Sequence, residues 1–320
     1  MKRYNNFWEK IIDLENLKNA HKNARKGKTH YKEVKMVDRN VDRFVQKIRQ
    51  DLVSGKFTTS PYKHFEHNDG NKVRKISKLP YYPDRIVHWA IMLQIEDVFL
   101  KSFINDTYAS LPKKGIHYAV KRVKKAVKDE KNTRYCLKFD IKKYFPNVDH
   151  DILKGLLRRK FKDNKLLKLL DDIIDSADGI PIGNYMSQYF ANFYLSYFDH
   201  YIKSLGVKYY FRYMDDIVIL HKDKTFLHGL FQSQIVPYLK KELALTVKEN
   251  WQIFPTKVRG VDFVGYRFFG KYTLLRKNTY KKLRFKISKC KNVEHLKRSK
   301  ASYSGWLLWA NCYNLKQKYI

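Results

Sequence analysis

The sequence predicts an α+β protein with a ferredoxin-like centre. Three observations predict it. From residue 135 to 268, β-prone apolar runs and helical periodicities follow one another as strand, helix, hairpin, helix, strand, which is the ferredoxin-like order. Hydrophobic residues make up 44% of 320, enough for a sizeable core and for two or three packed units. The last stretch, from about residue 270, changes character to basic and helical and reads as a small appended domain.

Residues 7–30 read as a basic amphipathic helix, with Phe7, Ile11, Ile12, Leu14 and Leu17 as its apolar positions. A second helix over 38–55 closes at Ser54-Gly55. The turn signal His67-Asn68-Asp69-Gly70 leads into Lys72-Val73-Arg74-Lys75-Ile76, whose alternation predicts a strand with one basic face. A long apolar helix over 83–104 opens at Pro83-Asp84-Arg85. After the loop at 111–115, Ile116, Ala119, Val120, Val123 and Val127 keep helical spacing. A strand ending on Asp140, a helix over 150–170 and a loop over 178–183 follow. Then come a helix of about 20 residues, a hairpin at Asp215, a helix near 225–243 and strands near Phe254 and over 261–268. A very basic helix over 280–300 and an apolar one over 306–310 end the chain. There is no internal repeat and no long linker.

The formal net charge is +35, from 66 Lys and Arg against 31 Asp and Glu. A Lys-rich solubilising surface accounts for part of it, but an imbalance of that size indicates a polyanionic partner. The 24 Tyr and 20 Phe fit the same partner, because aromatic faces stack on unpaired bases while cations hold phosphates. Cys136, Cys290 and Cys312 have neither metal-ligand spacing nor even pairing, as expected of a reduced cytosolic protein. The basic amphipathic start lacks a signal-peptide core, and no apolar run reaches the ~18 residues of a membrane span. The expected setting is cytoplasmic, with nucleic acid and no membrane as partner.

Residues 211–220 place Asp215-Asp216 between two apolar β-prone flanks. Asp is common in turns, yet adjacent carboxylates repel, so the pair makes best sense with a divalent cation between it and a second strand. The candidate is the strand Tyr135-Cys136-Leu137-Lys138-Phe139-Asp140. Three aspartates from two adjacent strands describe a two-metal phosphoryl-transfer site, and two Mg²⁺ suit such oxygen ligands, with Mn²⁺ as a substitute.

Tyr213-Met214-Asp215-Asp216 resembles the signature of reverse transcriptases. Asp140-Ile141-Lys142-Lys143-Tyr144-Phe145 resembles their first catalytic motif, and Gly260-Val261-Asp262-Phe263-Val264-Gly265-Tyr266 the strand that closes their palm. The likeness spans roughly residues 10–315 in the family's motif order. It implies a right-hand polymerase with fingers over 1–110, a palm over 111–269 and a helical thumb over 270–320. It further implies catalytic Asp140, Asp215 and Asp216, with Ile141 beside them at the metals and the nucleotide. The deoxynucleotide would meet Lys72 and Arg74 at its triphosphate and Phe145 under its sugar, where an aromatic ring excludes a 2′-hydroxyl. Ile182, Gly183 and Gln188 would border the same nucleotide. Tyr213, Met214, Gly265, Tyr266, Arg276, Lys281, Lys282 and Arg284 would face the template–primer duplex without reading its sequence, and the basic N-terminus would hold a structured RNA.

Within the family, Ile182-Gly183-Asn184-Tyr185-Met186-Ser187-Gln188 resembles the enzymes of diversity-generating retroelements, where an apolar residue at the position of Ile182 accompanies error-prone copying opposite adenine. Helical spacing is expected to put Asn184, Ser187 and Gln188 on one face. Pro83-Asp84-Arg85-Ile86-Val87-His88, Thr107-Tyr108-Ala109-Ser110 and Lys114-Gly115-Ile116-His117 also look like that group. Two departures stand out. Ser110-Leu111-Pro112 lacks the family's usual arginine or cysteine, and the lysine expected near 245–251 is displaced. Asn250 falls at its position, and Lys248 is the substitute that would protonate pyrophosphate.

The resemblance implies copying of a template or non-coding RNA into cDNA, with a primer duplex, deoxynucleotides and an accessory protein or homo-oligomer as partners. Diversification is the first reading. Antiphage synthesis on the enzyme's own non-coding RNA is the alternative with the same chemistry. A non-catalytic RNA-binding scaffold is the alternative of another class, disfavoured by the clustered carboxylates. After fingers, palm and thumb, no residues are expected to remain for RNase H, endonuclease or protease domains.

Overall fold

The structure, a computed structural model, describes residues 3–69, 72–290 and 292–319. The chain forms two compact units, each assembled from separate segments. The first gathers Met1–Phe103, Lys143–Tyr197 and Glu242–Leu245, and the second gathers Ile104–Lys142, Phe198–Lys241 and Thr246–Ile320.

In the first unit the expected opening helix is two, Trp8–Ile12 and Leu14–Ala24. Asp13 parts them: its backbone is extended, and its carboxylate caps the second helix by accepting from the Asn16 N–H at 3.0 Å. A helix over Lys32–Asp38 was not anticipated, and Val41–Val53 answers the expected second helix, capped by Asn40. Strands β1 (Lys63–Asp69) and β2 (Lys72–Lys78) pair as an antiparallel hairpin, with Lys63 opposite Lys78 and His67 opposite Arg74. The Ile86–Ser102 helix has almost no polar face, and Ile86, Val87, Ala90, Ile91, Ile95 and Phe99 bury it in the centre of the unit. The helix expected over 150–170 is divided into His150–Arg158 and Asn164–Ile174, each opened by an aspartate cap, Asp149 and Asp163.

The second unit holds a five-stranded sheet in the order β3-β5-β6-β4-β7, with β3 Thr107–Tyr108, β4 Tyr135–Asp140, β5 Tyr209–Tyr213, β6 Asp216–His221 and β7 Gln252–Pro255. Its β5-β6-β4-β7 part is antiparallel throughout, the arrangement expected of the ferredoxin-like order. One face is packed by the Ile116–Val127 helix, through Val120 and Val123 against Phe211, Val218 and Leu220. The residues read as one strand over 261–268 form a hairpin instead, β8 (Val261–Phe263) and β9 (Tyr266–Phe268), extended by β10 (Thr273–Leu275). Val264 and Gly265 turn it at φ 44° and 86°. The basic C-terminal helix is likewise two, Lys277–Lys289 and Val293–Leu307, and residues 306–310 hold the end of the latter, not a separate helix. No helix among the described residues is long and apolar enough to cross a membrane.

Candidate active site

The site in the second unit begins with a tight turn. Tyr213 pairs with Asp216 across β5 and β6, leaving Met214 (φ 53°) and Asp215 as the two turn residues. Asp140, the last residue of β4, stands directly opposite Asp216. Residues opposed in register share a face, so Asp140 and Asp216 leave the sheet together, while their neighbours Phe139 and Ile217 are buried. The Ile141 N–H donates to the Asp215 carbonyl at 3.3 Å, fastening the end of β4 to the turn. On the other side the Lys248 N–H donates to the Asp140 carbonyl at 2.8 Å, and the Lys248 ammonium stands 4.0 Å from the Asp140 carboxylate.

Sequence reasoning did not single out Lys138. It lies two residues before Asp140 on the same face, 3.4 Å from Asp216 Oδ1, and donates to the Asp262 carbonyl at 2.6 Å. The period of two in the strand is the signal that would have found it. Asp262 in turn holds Arg276, whose Nε donates to its carboxylate at 2.6 Å. Burial and the charge of Asp140 push the Asp216 carboxyl up to about 6, against the opposing pull of Lys138.

These residues suit a hard divalent cation. Asp216 Oδ1 is buried with the Lys138 ammonium 3.4 Å away, the donors are carboxylate oxygens, and Mg²⁺ is commonly held by one or two carboxylates with substrate phosphates completing its shell. Among the described residues no three acidic, histidine or cysteine side chains form a ready-made cage.

Other candidates are placed less uniformly. Ile141 is fully buried, so only its main chain can face a metal or nucleotide. Tyr266 corrects an expectation: it is buried in the core, stacked on Trp306 at 5.4 Å and donating its hydroxyl to the Trp306 carbonyl, with no face left for nucleic acid. At Gly265 a Cβ would lie 2.6 Å from the Trp306 ring, which explains the glycine by packing. Lys281, Lys282 and Arg284 lie exposed along the Lys277–Lys289 helix, and Arg276 precedes it.

The remaining candidates belong to the first unit, where residues 179–183 tie two elements together. The Ser77 N–H of β2 donates to the Ile182 carbonyl at 2.7 Å, and the Ile180 N–H donates to the Phe145 carbonyl at 2.8 Å. Glycine is required at both ends of this segment. A Cβ on Gly179 would meet the Pro146 carbonyl at 2.5 Å, and one on Gly183 (φ 123°) the Ser77 carbonyl at 2.6 Å. Arg74 is exposed on β2, and the side chain of Lys72 lies outside the described residues. Asn184, Ser187 and Gln188 do not share a face. The helix starts only at Ser187, and Asn184 precedes it, buried, accepting from the Met186 N–H and donating to the Tyr62 hydroxyl. Ser187 is buried against the Pro181 carbonyl, and Gln188 is exposed.

A family model described as reverse transcriptase (RNA-dependent DNA polymerase) matches residues 66–268. Protein YkfC of Escherichia coli (strain K12) is 25% identical over 264 residues, covering 78% of this chain and 63% of that one. Group II intron-encoded protein LtrA of Lactococcus lactis is 25% identical over 178 residues, covering 52% and 29%. The chain therefore spans less than two thirds of either relative's length. Among solved structures, apo telomerase from Candida tropicalis superposes with a TM-score of 0.51 at 12% identity, over 69% of this chain and 55% of that one. Telomerase from Candida albicans with a fragment of telomeric RNA gives 0.50 at 10% identity, over 82% and 56%. At such identities the likeness concerns the fold, that of a right-hand polymerase. The matched segment contains β2, Asp140 and the Asp215 turn, and the chain belongs to the reverse transcriptase (RNA-dependent DNA polymerase) family.

Proposed function

We propose that the protein is an RNA-directed DNA polymerase that copies a template or non-coding RNA into cDNA by two-metal nucleotidyl transfer. The observation that carries this reading is Asp140 opposite Asp216 with Asp215 in the adjoining turn. Asp140, Asp215 and the main chain of Ile141 would hold two Mg²⁺, or Mn²⁺ in their place, with Asp216 as the further carboxylate. When bound, the ions supply an activated primer hydroxyl and charge neutralisation at the leaving pyrophosphate. Lys248, whose ammonium stands 4.0 Å from the Asp140 carboxylate, would give that pyrophosphate a proton. Phe145, Ile182, Gly183 and Gln188 would shape the deoxynucleotide pocket, and Lys72 and Arg74 would hold its phosphates. Fingers over 1–110, a palm over 111–269 and a thumb over 270–320 complete the assignment, with Arg276, Lys281, Lys282 and Arg284 on the duplex. The setting is cytoplasmic, with an accessory protein or second copy as partner.

The biological role is diversification by error-prone copying. It is supported by Ile182, whose apolar side chain cannot make the polar contact that would check a base pair, and by the likeness of residues 182–188. The test is deoxynucleotide incorporation by purified protein with its co-purifying RNA, beside an Asp215→Ala/Asp216→Ala variant, with products sequenced. Synthesis that the variant and chelation both abolish, with errors concentrated opposite adenine, is the expected result. Faithful or repetitive products would transfer the protein to the defence role. RNA binding without synthesis on any primed template would leave the scaffold reading.

A further inference from the structure

His150, in the first unit, has no part in the polymerase assignment, yet both of its ring nitrogens are engaged. Nδ1 lies 3.1 Å from Asp175 Oδ1, and Nε2 lies 2.9 Å from the Gly179 carbonyl oxygen. Asp175 is the ionised partner, because the Lys154 ammonium, 2.6 Å from its Oδ2, holds the carboxyl below its usual range. A carboxylate and a carbonyl accept hydrogen bonds and donate none, while a neutral imidazole carries a single N–H. Both contacts are hydrogen bonds at once only when the ring is doubly protonated. A neutral ring keeps its N–H on the carboxylate, the stronger acceptor, and turns a lone pair toward Gly179.

The Gly179 carbonyl opens the segment 179–183, and the main chain of that segment is held residue by residue. The Ile180 N–H donates to the Phe145 carbonyl at 2.8 Å, the Pro181 carbonyl accepts from the Ser187 hydroxyl at 2.7 Å, and the Ile182 carbonyl accepts from the Ser77 N–H at 2.7 Å. The fit against Phe145 and Pro146 is close. A Cβ on Gly179 would lie 2.5 Å from the Pro146 carbonyl oxygen and 2.6 Å from that of Phe145. His150 reaches the segment from the first turn of the His150–Arg158 helix, whose cap, Asp149, accepts from the Ile152 N–H. Charged groups on the elements packed here are Asp175 and Asp171, Asp178 beside Gly179, and Asp151, Lys154 and Arg158 on its own helix. Of these, Asp171 is taken up by Arg158, and Asp151 stands 3.9 Å from Lys154 with its side chain in solvent.

We propose that His150, as the imidazolium, is a positioning residue that pins the segment 179–183 onto Phe145 and thereby sets the fit of the deoxynucleotide. The second half rests on the reading of Phe145 and Ile182 as nucleotide contacts. Loss of the ring proton releases Gly179, so the pinning is present at low pH and is lost as pH rises.

The test has two arms on the full chain. The first is hydrogen–deuterium exchange of peptides covering residues 176–186, without Mg²⁺ or nucleotides, corrected for the intrinsic effect of pH. Wild-type protection is expected to fall about tenfold between about pH 5.5 and about pH 8.5, as a charge-assisted bond is lost. His150→Gln should be loose at both pH values, and Asp175→Asn should lose protection at the lower one. Asp151→Asn, the same charge change on the same helix away from Gly179, should follow wild type. Wild-type protection that ignores pH, or a His150→Gln segment as protected as wild type at the lower pH, overturns the proposal. The second arm is single-nucleotide extension at the lower pH, where His150→Gln is expected to raise the deoxynucleotide KM about tenfold with kcat nearly unchanged. An unchanged KM in a variant whose segment has loosened overturns the role at the nucleotide. If wild type makes no DNA, it is the polymerase reading that falls, and the exchange arm still decides whether His150 holds the segment.

Discussion

Phe145 and Ile182 are the residues at which substrate choice is most open to experiment, because neither belongs to the carboxylate set. Phe145 is half-buried and rests edge-on against Tyr144 at 5.7 Å. Phe145→Ala is expected to admit ribonucleotides, raising their incorporation relative to deoxynucleotides by roughly tenfold or more, about 1.4 kcal/mol of lost exclusion. Competitive single-nucleotide extension measures that ratio, and an unchanged ratio would remove Phe145 from the sugar site. Ile182→Gln restores a polar group at a half-buried position whose main chain is fixed by Ser77. It is expected to lower misincorporation opposite adenine severalfold while leaving overall synthesis within a factor of a few. His88 gives a stability prediction with a definite sign. Burial, helped by Arg85, lowers its pKa to about 3, so the folded protein keeps it neutral while the unfolded chain takes up a proton near 6.5. Its contribution is therefore present above pH 6.5 and is lost as pH falls toward 3, by about 2 kcal/mol at pH 5. Urea unfolding at pH 7 and pH 5 should show the loss in wild type and a smaller one in His88→Gln.

At the scale of elements, the strands that carry the carboxylates were legible and the helix ends were not. Alternation and the acidic tip located β2, β4 and the β5-β6 hairpin, because a strand half buried in a sheet writes its pattern locally. Helices predicted as single runs are broken at Asp13, near Phe161 and near Leu195, since periodicity survives a break that keeps the same face inward. The capping aspartates Asp13, Asp149 and Asp163 were visible signals, and weighing them against the periodicity would have found two of the breaks. The contacts of Gly183 and Asn184 depend on partners far away in sequence and left no local trace. The same holds for Arg212, fully buried in β5, which gives two hydrogen bonds to Asp199, at 2.7 and 2.6 Å, while Tyr210 and Thr107 bond the same carboxylate. Asp199→Ala leaves that guanidinium uncompensated and is expected to lower stability by about 3–5 kcal/mol, read as a fall in the urea midpoint. A change under about 1 kcal/mol would mean that water reaches Arg212.

At the scale of the whole molecule, a charge of +35 has to be divided between contacts that hold nucleic acid and charge that only repels itself. Local ion pairs already occupy part of it. Lys154 and Arg158 are tied to Asp175 and Asp171, and Arg122 to Asp106. The Lys277–Lys289 helix is different, because Lys281, Lys282 and Arg284 are all exposed along it, and exposed Phe285 stands among them. Each cation that neutralises a phosphate releases condensed counterions, so affinity falls linearly with the logarithm of salt. If all three residues contact single-stranded RNA, Lys281→Ser/Lys282→Ser/Arg284→Ser should reduce the magnitude of that slope by about 2, at ~0.7 per contact. Filter binding between low and moderate salt measures the slope directly. A change in affinity at one salt concentration with an unchanged slope would mean that these side chains act on the fold of the helix, and that the phosphates are held elsewhere on the protein.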